Sequence, residues 1–167
     1  VADYEKERPE FRPEKYFLGE TKAWGVFYDF HEKLSRHFTV QMKGHQEGDS
    51  FILEENFVFN DGERDFRRWE IKSTGEKTYE GTAEDVVGKA AGEVGGNAIH
   101  WRYRLLLKTK DGRTEVGFDD WMFLLDETHL FNRAKIRKFG LEVGEVILFF
   151  DKPSGELKLA ADLAQTN

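Results

Sequence analysis

The sequence predicts an all-β fold, a single antiparallel up-and-down β-barrel of about 8–10 strands. Three observations predict it. From Ala23 to about Lys152 the chain runs in short stretches that alternate apolar and polar residues with period two. Turn pairs such as Asp61-Gly62, Gly95-Gly96 and Asp111-Gly112 punctuate these stretches at intervals of roughly 8–14 residues. The links between stretches are short, so consecutive strands pair as a meander. A meander this long closes on itself, because closure removes exposed edges.

The elements follow in order. Residues 1–22 form a polar lead-in with Pro9 and Pro13, read as irregular with one helical turn. Residues 23–152 form the barrel domain, with strands at 23–31, 35–44, 49–59, 65–73, 77–83, 86–94, 97–108, 113–125, 129–139 and 144–151. Residues 153–167 form a tail with helical spacing at Leu157, Ala160, Ala161 and Ala164. In the first strand Trp24, Val26, Tyr28 and Phe30 share a face, taken as interior; in the second, Phe38, Val40 and Met42 do.

The stretch "VGFDDWMFLL" carries Asp119 and Asp120 side by side in an apolar strand. Neighbours on a strand face opposite sides, so one of them points inward. A type I′ turn at Asp111-Gly112 sets Leu105 opposite Phe118, Tyr103 opposite Asp120 and Trp101 opposite Met122, with Arg104–Asp119 and Arg102–Trp121 outside. A longer loop centred on Glu127 pairs Leu124 with Leu130, Met122 with Asn132, Asp120 with Ala134 and Phe118 with Ile136. A two-residue loop there would turn Arg133 and Lys135 inward. Asp119 then belongs to a solvated ion-pair row with Arg104 and Lys135. Trp121 lies between Arg102 and Arg133, suited to cation–π contact. Asp120 points inward beside Tyr103 and must find partners or take up a proton.

Two other hairpins fill out the interior. A turn at Gly95-Gly96 sets Gly88 opposite Tyr103, Ala90 opposite Trp101 and Gly92 opposite Ile99, small residues against large ones. Either this alternation fills a barrel's taper or it leaves space beside the two rings. A turn at Asp61-Gly62 sets Glu55 opposite Arg68, and a one-residue slip sets it opposite Arg67, so an arginine stands near it either way.

Composition narrows the function. The chain of 167 residues fits one domain, and its 15 Phe, 5 Tyr and 4 Trp require a substantial interior or cavity. The net charge of -7 argues against nucleic acid, whose phosphates call for a basic surface. The absence of cysteine excludes disulfides, zinc–thiolate sites and thiol catalysis. The chain has no apolar run long enough for a membrane-spanning helix. It begins at Val1 rather than Met, and the expectation is a preceding segment removed or not included.

Catalytic and metal motifs are weak. There is no GxSxG. His31, His37, His45, His100 and His129 show no HExxH or HxH spacing, so no metal or cofactor is expected. "GKAAGEVGG" leads into no helix and is a poor phosphate cradle. Asp120 with Tyr103 suits acid–base work only if burial raises the carboxyl pKa, and a structural hydrogen bond is the simpler reading. An interior lined by Tyr28, Trp101, Tyr103 and Met122, with Glu55, Asp120 and Asn132 as polar anchors, matches a small-molecule pocket. A filled barrel with a satisfied polar network matches the same residues.

The segments "FLGETKAWGVFYD", "RRWEI", "TAEDVVGKAAGEVGGNAIHWRY" and "FDDWMFLLDETHLFNRAKIRKFGLEVGEVILFF" resemble the bacterial lipoprotein family labelled domain of unknown function 3833, from about Phe11 to Pro153. The resemblance implies a lipidated cysteine ahead of "VADY", anchoring to a membrane and a periplasm-facing location in a Gram-negative bacterium. It also implies a role connected with lipid, and it carries over no catalytic residue. "FLGETKAWG" is similar to the Gly-x-Trp opening of lipocalin-like barrels, but Gly19 stands five residues before Trp24, so the likeness is one of fold alone.

The expectation is therefore a lipocalin- or calycin-like barrel that binds a hydrophobic or amphipathic molecule such as a lipid or fatty acid. Its alternatives are a lipid-acting enzyme using Asp120, and an envelope protein that binds a protein partner through Arg102, Trp121, Phe123, Phe131 and Arg133 on the outer face.

Overall fold

The computed structural model describes residues 1–109 and 112–152. Ten strands follow one another: β1 (Gly19–Tyr28), β2 (Leu34–Glu47), β3 (Ser50–Phe59), β4 (Arg64–Ser73), β5 (Thr78–Thr82), β6 (Val86–Gly95), β7 (Ala98–Thr109), β8 (Gly112–Leu124), β9 (His129–Lys138) and β10 (Leu141–Asp151). Each pairs antiparallel with the next, and β1 pairs with β10, so the meander is a closed barrel with no free edge. The barrel is all-β, as its alternation predicts. The Asp111 turn position and the 153–167 tail lie outside the described residues.

The lead-in is more ordered than its polarity indicates. A short 3₁₀ turn (Ala2–Tyr4) and the helix α1 (Pro13–Tyr16) bring Phe11, Pro13, Tyr16 and Phe17 under one end of the barrel, where all four are buried. Backbone and side chains tie them to the turns there. Phe11 N–H donates to Gly96 O at 2.8 Å, Arg12 Nη1 to Glu76 O at 2.8 Å and the Tyr16 hydroxyl to Thr128 O at 2.8 Å. Phe17 stacks edge-on against Phe150 at 5.8 Å. The sequence pattern misses this plug because its apolar residues follow neither strand nor helix period. The lead-in closes this end.

The interior face is Phe38, Val40 and Met42 on β2, Phe51 and Leu53 on β3, Trp101 on β7, Leu124 on β8, Leu130 on β9 and Phe150 on β10. On β1 the predicted face is reversed. Thr21, Ala23 and Gly25 point inward, while Trp24 is 44% exposed and Tyr28 shares its outward face. The reason is volume. Gly25 pairs with Phe38, and the Phe38 ring lies where a Gly25 side chain would be. Both faces of this strand carry apolar residues, and size misleads because the partner strand already supplies the ring.

Register differs from expectation in two hairpins, and in a third it takes one of two alternatives. β8–β9 pairs as predicted throughout, Met122 with Asn132, Asp120 with Ala134 and Trp121 with Arg133 included. β7–β8 is offset by two residues: Trp101 faces Asp120, Tyr103 faces Phe118, Leu105 faces Val116 and Arg102 faces Asp119. An even shift preserves every inward and outward assignment. β6–β7 turns one residue later than predicted, and Gly92 lies opposite Trp101. Further along, Val87 pairs with Arg104 and Ala91 with Arg102, so Gly88, Lys89 and Ala90 together oppose Tyr103. Gly88 has φ of 70°, which glycine adopts without steric penalty, and this makes the bulge. β3–β4 takes the one-residue slip, with Glu55 opposite Arg67.

Candidate functional site

Alternation on β3, β4, β7, β8 and β9 turns Glu55, Arg67, Tyr103, Asp120 and Asn132 into the barrel interior. Asp120 is only 5% exposed. The Tyr103 hydroxyl donates to Asp120 Oδ2 at 3.0 Å, and Asn132 Nδ2 donates to Asp120 Oδ1 and, at 2.9 Å, to Trp121 O. Burial raises the Asp120 pKa to about 6, although both hydrogen bonds pull it down. The Tyr103 phenol is raised well above its ordinary value, by burial first and then by the Asp120 charge.

Arg67 is held by a residue that the strand pattern does not flag. Its Nε donates to Asp85 Oδ1 at 3.1 Å and its Nη2 to Asp85 Oδ2 at 2.9 Å, a two-pronged charged pair. Asp85 lies in the link between β5 and β6, where no alternation marks which way a side chain points. Glu55 has no such partner: its Oε1 is buried and has no hydrogen-bond donor. Burial raises the Glu55 pKa to about 7, against the opposing pull of Arg67 and the Trp69 indole.

Aromatic side chains surround these groups. Trp69 meets Tyr103 edge-on at 5.5 Å, Tyr103 stacks on Phe118 at 5.0 Å, and the Arg67 guanidinium lies 5.4 Å from the Phe57 ring. Phe57, Trp69, Tyr103, Phe118 and Met122 point inward and yet are only half-buried. An inward side chain can meet solvent only in the interior or through a gap in the wall. These five therefore border accessible space, while the side chains nearer the plug are packed.

Four of the seven predicted site residues, Glu55, Tyr103, Asp120 and Asn132, come together with Arg67 in this cluster. Met122 packs at its edge. Trp101 is 8% exposed and packed in the core against Gly92, so it is a wall residue without open space beside it. Tyr28 lies on the outer face and does not join the cluster. Trp69 and Phe118 complete the site, and their place on the inward face was legible from alternation.

The outer face also departs from expectation. Trp121 stacks on His100 at 4.2 Å rather than between two arginines, because the β7 offset places His100 opposite it. Asp119 bonds His100 and lies 4.0 Å from Arg137, while Arg104 turns to Glu115 at 2.6 Å. Outside the β6 bulge, a groove of about 430 Å³ lies among Lys89, Arg102, Arg104 and Arg137 and reaches Tyr103 and Phe118. Its cations are largely engaged by Glu80, Glu115 and Asp119. Among the described residues there is no cluster of three or more side chains suited to a metal ion. No described helix is long and apolar enough to cross a membrane.

No curated protein matches the chain. A family profile does, over residues 1–152, which takes in the plug and all ten strands that build the site: the chain belongs to the family described as protein of unknown function, DUF3833.

Proposed function

We propose that this barrel binds a hydrophobic or amphipathic small molecule, such as a lipid, with its polar head at the Glu55–Arg67–Asp120 cluster and its apolar body along the half-buried rings. The observation that carries this reading is the juxtaposition of a buried carboxyl oxygen without a donor and five inward side chains that are not fully covered. A carboxyl oxygen left unpaired is costly, on the order of 1–3 kcal/mol, and a ligand that supplies a donor relieves that cost. Barrel diameter grows with strand number, and eight strands already suffice to hold one small ligand. Ten strands leave more room.

Membrane anchoring through an N-terminal lipid, facing the periplasm, belongs to the same proposal and rests on the resemblance described above. Val1 lies against Gly95 at the plugged end. A tether ahead of Val1 would hold that end to the membrane and leave the opposite end to face away.

Native mass spectrometry of the gently purified protein tests the binding reading. A discrete small-molecule mass that is released on denaturation, and lost in Tyr103→Ala with the barrel intact, supports it. A clean apo mass together with unchanged probe binding in Tyr103→Ala overturns the site.

A second reading has its own observation. Register aligns Phe123, Phe131, Phe149 and Trp24 in one outward row across β8, β9, β10 and β1, with Tyr4 edge-on to Phe123 at 5.0 Å. Such a row suits a protein partner on the outer wall. Catalysis by Asp120 is disfavoured, since both of its oxygens are already taken by Tyr103 and Asn132.

A further inference from the structure

The chemistry of the interior cluster narrows the class of ligand, and this step rests on the binding reading above. Three carboxyl groups, Glu55, Asp85 and Asp120, share the cluster with one guanidinium. That guanidinium is paired along one edge, since Asp85 holds its Nε and Nη2 at 3.1 and 2.9 Å. Two further donors are committed. The Tyr103 hydroxyl and the Asn132 amide both serve Asp120, and Asn132 also serves the Trp121 carbonyl. A carboxylate or phosphate entering here would meet three carboxyl groups against one guanidinium that Asp85 already holds along one edge. The group that needs a partner is an acceptor, Glu55 Oε1.

The rings around Glu55 point the same way. Phe57, Trp69, Tyr103 and Phe118 stand half-buried on the inward face, in contact with one another or with Arg67. A positive group is attracted to aromatic faces, more strongly when desolvated. Aromatic walls with more carboxyl groups than cations, and one carboxyl oxygen without a donor, suit recognition of organic ammonium groups.

We propose that the head group this site takes is a protonated amine or other organic ammonium on an apolar body, held by Glu55 and the surrounding rings, and not the carboxylate of a fatty acid. The charged groups that face Glu55 are Arg67 on β4, Asp85 in the β5–β6 link and Asp120 on β8, with the Tyr103 phenol on β7. Burial holds Glu55 protonated until about pH 7. An ammonium that binds its ionised form therefore binds more weakly as pH falls below that value.

Titration calorimetry with three probes of equal chain length, decylammonium, decanoate and decanol, tests the inference on the intact protein. At a pH above 8, decylammonium is expected to bind at least about ten-fold tighter than decanoate. Glu55→Gln is expected to abolish most of that preference, and lowering the pH of the wild type below 6 is expected to do the same without any substitution. Equal or tighter binding of decanoate, or a preference that survives both Glu55→Gln and acidification, overturns the head-group assignment while leaving a binding barrel. Failure of all three probes to bind overturns the binding reading, and the head-group assignment falls with it.

Discussion

Tyr103 and Asp120 are not partners in the β7–β8 ladder, yet the tyrosine hydroxyl donates to Asp120 Oδ2 at 3.0 Å across the diagonal between the strands. The offset that sets Phe118 opposite Tyr103 lets the two rings stack, and it carries the hydroxyl one step along to the carboxylate. Asn132 completes the arrangement from β9. Asp120 is thus a carboxylate held by neighbouring strands on both sides, a link across the barrel wall as well as part of the site.

Tyr103→Phe removes one of two side-chain donors to Asp120 and leaves the ring in place. The substitution should destabilise the fold by about 1 kcal/mol and raise the Asp120 pKa further. Asp120→Ala strands two buried donors and should cost more, about 3 kcal/mol. Urea unfolding measures both, and a carboxyl-carbon NMR titration reads the pKa in the tyrosine variant. Equal stability of Tyr103→Phe and wild type would show the hydrogen bond to be dispensable.

Glu55 and Asp120 are both held above the ordinary carboxyl range, to about 7 and about 6, with burial the first cause in each. The folded state therefore keeps these protons at pH values where the unfolded chain has lost them. Their effect on stability is most favourable below the ordinary carboxyl values and declines as pH rises through about 7. Asp126, Asp61 and Glu70 act in the opposite sense. Their pKa values are lowered, by His129, by the Glu63 backbone and by Ser50 first in turn, so their contribution is lost as pH falls through the acid range. Glu55→Gln should accordingly raise the melting temperature at pH 8 and lose that gain near pH 5. Thermal melts at the two pH values decide it.

Gly92 lies opposite Trp101, and a methyl group there would come within 2.7 Å of the indole ring. Trp101 is packed in the core and has no open space to retreat into. Gly92→Ala should cost about 1–3 kcal/mol through overpacking. Gly62→Ala makes a useful comparison, because nothing lies within 4 Å of that position and any loss there reflects only its φ of 87°. Denaturant midpoints for the two variants separate crowding from backbone strain.

Phe11 has no exposed surface and sits in the plug, though its segment has no strand or helix periodicity. Phe11→Ala should leave a cavity at the closed end and destabilise by about 3–5 kcal/mol. Amide exchange in the Gly96 and Thr128 turns should accelerate with it, since the plug's backbone and side chains bond those turns. Unchanged exchange there would show that the plug is not coupled to the barrel end.

Alternation and turn chemistry, read residue by residue, determined the ten strands, their order, closure of the sheet and the inward direction of Asp120, Glu55 and Asn132. These are local properties: a side chain's face depends on parity alone, and a register shift of two leaves parity untouched. The β8–β9 pairing was legible down to each pair because only one loop length kept Arg133 and Lys135 outside. Other features required the whole fold. Which face of β1 turns inward was decided by the Phe38 ring arriving from β2. The capture of Arg67 by Asp85 and the seating of Phe11 under the barrel come from links and termini, where no period exists to read. The unpaired oxygen of Glu55 is a consequence of those placements. Once Asp85 has taken the arginine's Nε and Nη2, Arg67 acts on the glutamate opposite it through charge alone, Glu55 Oε1 is left without a donor, and that tertiary outcome gives the site its chemistry.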